Sequence, residues 1–168
     1  MSHTEELASF RSAFPARPPD RNRISHEDQL VRLGVEDGVR FLIEAPIEGV
    51  APGDPPEDTR RGTGCHLWVI DERGVPFILE QAPAAARLHD RVAKHSNLTG
   101  GEPAHCGGEV WFEEASTAKL WVSGGSGRYG PRSPEEMESA VAVFMAFGYA
   151  TISLGWDEQT NRALRVLP

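Results

Sequence analysis

The chain has 168 residues, of which 39% are apolar, 25% charged and 8% aromatic, the size and composition of one globular domain. Its 17 Lys and Arg stand against 25 Asp and Glu, and a net charge of −8 lacks the broad basic footprint of a nucleic-acid binder. No apolar run approaches the ~20 residues that span a bilayer, and Met1 to Glu6 has neither a basic nor an apolar leader region.

Neither nucleic acid nor membrane is therefore expected as a partner, and the expected location is cytoplasmic, with any export following a route that needs no signal. In that compartment Cys65 and Cys106 are expected to stay reduced.

Residues 1–26 hold Pro15, Pro18 and Pro19 among Arg11, Arg17, Arg21 and Arg23, a composition that predicts an extended arm. Residues 27–62 read as an N-terminal extension. Within it, Glu27 to Leu33 suits a short helix capped by Ser25, Val39 to Glu44 alternates as a strand, and Ala51 to Gly62 is a proline- and glycine-rich loop.

From residue 63 to residue 168 the pattern is that of an α+β core domain. Leu67–Ile70 and Val75–Leu79 flank Asp71-Glu72-Arg73-Gly74 as a hairpin, and Pro76 points to an edge strand. Ala82 to Val92 suits a short helix. Glu109–Glu113 and Lys119–Ser123 make a second strand pair around Ala115–Ala118.

The most heavily specified helix runs over 133–147. Ser133 caps it, Pro134 takes the first position, Glu136 can reach back, and Met137, Ala140, Val141, Phe144 and Met145 recur on one face before Gly148. Tyr149 to Leu154 returns as a strand, with Arg162 to Leu167 as its expected partner. The expected fold is a single α+β domain: a mainly antiparallel sheet of short strands, one well-capped amphipathic helix and an extended N-terminal arm.

Eight of the 17 glycines fall between Gly100 and Gly130, interleaved with polar side chains. Such glycines mark tight turns, or backbone amides exposed to phosphates and carboxylates. Two segments carry the chemistry. In the first, His95, Ser96, Asn97 and Thr99 precede Gly100 and Gly101. The second, Ser126-Gly127-Arg128-Tyr129, leads through Arg132 to the capped helix, where arginines suit an anion and a ring suits stacking. The six cysteines and histidines at 65–66, 89, 95 and 105–106 follow no zinc spacing, and no GxSxG elbow or phosphate-loop fingerprint occurs.

In order and spacing, Leu67 to Leu79, His95-Ser96-Asn97-Leu98-Thr99-Gly100-Gly101, His105-Cys106-Gly107-Gly108-Glu109 and Ser126-Gly127-Arg128-Tyr129-Gly130-Pro131 before the helix form one series. The series resembles a module of plant IQ-motif calmodulin-binding proteins and of bacterial and fungal toxin- or effector-like proteins. That module runs as a strand pair, His-Ser-Ser-Phe-Leu-Ala-Gly-Gly, Ala-Ala-Gly and Ser-Gly-His-Tyr-x-Pro. The resemblance covers about Leu67 to Ser153; Arg128 stands where the module has histidine, and the chain has no IQ motif.

By residue type, the His-Tyr-Glu series is also similar to that of some ADP-ribosyltransferases. The expectation is a nucleotide-binding toxin or effector domain that transfers an ADP-ribosyl group or cleaves the glycosidic bond of NAD, with NAD as cofactor and no metal. His95 would hold the ribose, Tyr129 would stack on the nicotinamide, Arg128 or Arg132 would neutralise the pyrophosphate and Glu109 would stabilise oxocarbenium charge. The partners would be a small-molecule nucleotide and a protein acceptor. Two alternatives stand beside it: a non-catalytic ligand-sensing or protein-interaction module, and a small zinc-dependent enzyme in which His95, His105 and a cysteine converge.

Overall fold

The computed structural model describes residues 1–58, 63–114 and 118–168. Parts of the expected loop 51–62 and of the turn 115–118 lie outside the described residues.

A six-stranded sheet organises the chain: β1 (Arg40–Phe41), β2 (His66–Ile70), β3 (Pro76–Leu79), β4 (Cys106–Phe112), β5 (Lys119–Ser123) and β6 (Ala150–Ser153), in the order β1-β3-β2-β4-β5-β6. Neighbours are antiparallel except β5 and β6, which are parallel because α3 (Pro134–Ala146) crosses between them. The chain is thus an α+β domain with a mostly antiparallel sheet, as its strand and turn pattern predicts. Pro76 pairs with Phe41, so β3 lies one strand in from the edge, and the missing N–H is tolerated at its first residue. Arg162–Ala163 pairs with Trp156–Asp157 as a separate small hairpin, β7 and β8, and does not extend β6.

Both faces of the sheet are covered, which is why every residue of β2 is buried. Alternation sends Trp68 and Ile70 to one face, where they join Phe77, Val110, Phe112, Leu120 and Val122 against Met137, Ala140, Val143 and Phe144 of α3. Leu67 and Val69 point to the other face, against Leu98, Ala85, Leu88 and Tyr129.

Two further segments differ from expectation. Residues 3–13 form helix α1 where an extended arm is expected. Ser2 and Glu5 close a reciprocal capping box, and Leu7 and Phe10 are buried in the α3 face of the core. Beyond the helix, Arg17 pairs with Ala104 as an isolated bridge, and its guanidinium donates to the carbonyls of His105, Tyr129 and Gly130 and to Glu136. The N-terminal segment is held by apolar burial at one end and by an arginine fork at the other. The expected helix at 82–92 is reduced to a 3-10 turn, Pro83–Arg87, after which the chain turns with Arg91 at φ 59°.

No helix among the described residues is long and apolar enough to cross a membrane.

Candidate functional site

Beyond the end of β5, the loop that follows the strand encloses an open cleft of about 290 Å3 with residues 17–23 and 162–165. Arg17, Arg23, Arg128, Arg162 and Arg165 line it together with the backbone of residues 124–127. The arginines come from three separate stretches of chain, so the cleft is a tertiary product. Strand β5 ends at Ser123, whose hydroxyl accepts from the amide of Gly125; Ser126 Oγ then accepts from the amides of Arg128 and Tyr129. These short bonds fix the loop. A Cβ at position 125 would stand 2.1 Å from Glu109 Oε1 and 2.8 Å from Arg165 Nε, so any larger residue there would displace both side chains.

Arg128 donates to the carbonyl of Arg23 and to Gln29, while its Nε is buried with no hydrogen-bond partner among the described residues. Burial holds its guanidinium pKa below the usual arginine value. Arg165 Nε lies 3.5 Å from Glu109 Oε1, whereas Arg23 and Arg162 have no ion-pair partner among the described residues.

A second, smaller pocket of about 50 Å3 adjoins the cleft, sharing Gly125, Gly127, Arg128 and Arg165 with it, and is floored by Glu80, Lys94, His95 and Glu109. Register places Glu109 opposite Leu67 and Ser123, hence on the Leu67 face of the sheet, with Glu80 held by backbone bonds to Cys65 and Ala93. The thiol of Cys65 donates to Glu109 Oε2 at 3.3 Å. His95 opens the short helix α2 (His95–Thr99) and its Nε2 donates to the carbonyl of Gly108 at 2.7 Å. Gly108 must be glycine, since a Cβ there would meet Ser123 O at 1.9 Å.

The structure brings His95, Glu109, Gly127 and Arg128 to the inner pocket, and Ser126 to the outer cleft. The remaining expected site residues line neither pocket and, Arg132 apart, lie inside the fold. The ring of Tyr129 is 0% exposed, and its hydroxyl donates to the carbonyl of Glu102 and meets Thr99 Oγ1 at 2.8 Å. Tyr129 therefore has no free face for a nicotinamide. Asn97 donates to the carbonyls of Asp28 and Val31 and caps Lys94; Ser96 is fully buried. Gly100 ends α2 at φ 67° beside Arg32, and Gly101 packs on Leu30. Arg132 is taken up by Glu136. The polar run 95–101 thus acts as a clasp for residues 28–32.

Glu80, Lys94, Arg17, Arg23, Arg162 and Arg165 escape a reading by segment, because nothing local marks residues from four stretches as neighbours. As for a metal, His105 is hydrogen-bonded to Phe14 O and Glu72 and lines neither pocket, so the expected convergence of His95, His105 and a cysteine does not form. The donor set that does gather is Cys65, Glu80 and Glu109, with one ligand atom of each within 4.8 Å of the others. Its charge is met in part by Arg165.

No protein-family model, curated protein or solved structure matches the chain.

Proposed function

We propose that the protein is a binding module for a small, phosphate-bearing molecule, held in the arginine cleft. The observation that carries this reading is the lining itself: five arginines around a glycine loop, in a chain whose net charge is −8. Guanidinium forks match phosphate oxygens two at a time, and the amides of a glycine loop add donors without a side chain in the way. Among the described residues, carboxylates answer Arg17 and Arg165 only. The test is thermal denaturation with pyrophosphate, ADP-ribose and NAD in turn. A ligand at a hundred times its Kd should add about 2.7 kcal/mol of stability, and the absence of any shift with all three would remove the reading.

Glu109 and His95 favour a second reading, cleavage of NAD or transfer of its ADP-ribosyl group to a protein acceptor. The pyrophosphate would lie in the cleft and Glu109 would face the developing oxocarbenium charge. No Phe, Tyr or Trp among the described residues lines either pocket, so a nicotinamide ring would find no stacking partner. Release of nicotinamide from NAD, lost in Glu109→Gln, is the result that would raise this reading above the first.

A further inference from the structure

The inner pocket differs in chemistry from the cleft that it adjoins. Glu80 and Glu109, both buried, present carboxylates to it, with oxygens within 4.8 Å of each other. Carboxylates repel phosphate, so the anionic part of a ligand stays on the arginine side. Ionised carboxylates also accept and never donate, so whatever enters must bring hydrogen-bond donors.

Lys94, Arg128 and Arg165 stand in the same lining and outnumber the two carboxylates, which leaves no net attraction for an ammonium or guanidinium group. A neutral hydroxyl suits this mixture better, because it donates to a carboxylate and accepts from a cation through one atom. Size agrees: about 50 Å3 admits a few groups of hydroxyl or water size, each needing roughly 10–15 Å3 of such space, and is too small for a purine. No Phe, Tyr or Trp among the described residues stands in the lining, so the usual platform for a base is missing there.

We infer that the inner pocket reads the hydroxyl groups of a sugar phosphate whose phosphate sits in the arginine cleft, an inference that rests on the cleft being a phosphate site. Glu80 and Glu109 are its hydroxyl acceptors, and Arg128 and Arg165, common to both cavities, join the two halves.

Calorimetric titration with three probes separates the two levels: inorganic phosphate, ethyl phosphate and ribose 5-phosphate. The wild-type protein should bind ribose 5-phosphate at least about tenfold more tightly than ethyl phosphate, since hydrogen bonds to charged acceptors are the strong ones. In Glu80→Gln/Glu109→Gln that preference should shrink to within about threefold, with inorganic phosphate bound as well as before or better. Equal affinity of the wild type for ribose 5-phosphate and ethyl phosphate would overturn the inference and leave the cleft as a phosphate site. Failure of all three probes to bind would overturn both. The comparison of probes on the wild type decides the matter even if the double variant does not fold.

Discussion

Arg17 Nη1 lies 3.2 Å from Glu136 Oε1, pairing the N-terminal segment with a carboxylate that is 1% exposed in the first turn of α3. The same guanidinium ties down the carbonyls of His105, Tyr129 and Gly130, so it organises the turn that leads out of the glycine loop. Arg17→Ala would strip one of two cations from a buried carboxylate and free three carbonyls at once. A loss of about 3–5 kcal/mol is expected, read as a fall of on the order of 10 °C in Tm. Arg17→Lys should recover only part, because an ammonium lacks the fork; full recovery would show that charge alone matters there.

The N-terminal helix should behave as core. Phe10 is 2% exposed and its ring lies 4.9 Å from that of Phe14, tilted by 44°, within the α3-side cluster. Phe10→Ala is expected to cost about 3–5 kcal/mol, and a chain starting at Phe14 should lose at least as much. Urea denaturation of both variants is the check, and a truncated chain as stable as the full one would mean that α1 adds no net burial.

Tyr129 should matter to stability and not to binding. Its hydroxyl joins Thr99 and Glu102, so Tyr129→Phe removes two hydrogen bonds, of which the one to Thr99 is buried. The expected loss is about 1–2 kcal/mol, with the affinity for pyrophosphate unchanged. Loss of affinity at full stability would return Tyr129 to the ligand.

His66 sits edge-on to the rings of Phe77 and Phe112, and burial pushes its pKa down from 6.5 to about 4. The unfolded chain takes up this proton and the folded chain does not, so the contribution to stability is complete above pH 6.5 and is lost as the pH falls toward 4. The shift corresponds to about 3 kcal/mol over that window. His66→Phe should flatten the pH dependence of unfolding between those limits relative to wild type. An unchanged slope would show that the imidazole is protonated in place.

These residues also mark how far the amino-acid order discloses the molecule. Helix α3 is legible because Ser133, Pro134 and Glu136 specify its start locally, and the β2–β3 hairpin because its turn and alternation are contiguous. Helix α1 carries an equally local signal, Ser2 with Glu5 ahead of Leu7 and Phe10. It is masked by the prolines that follow and by having only two strongly buried positions. In the site, Glu109 and Arg128 are found because glycines surround them. Glu80, Arg162 and Arg165 carry no such sign: register between strands and the return of the C-terminal hairpin bring them in, and both are set by tertiary packing. Tyr129 misleads because an aromatic beside arginines suits a ligand and a core plug equally well.

The most direct test uses the two arginines that have no ion-pair partner among the described residues. Arg23→Ala/Arg162→Ala leaves the folded contacts nearly intact, so its Tm without ligand should lie within about 2 °C of wild type. Titrated calorimetrically with pyrophosphate at low salt, wild type should bind, and the double variant should bind at least about tenfold more weakly. Both affinities should fall as salt rises. Equal affinity in the two proteins, or no binding by wild type at millimolar pyrophosphate, would contradict the assignment of this cleft to a phosphate-bearing ligand.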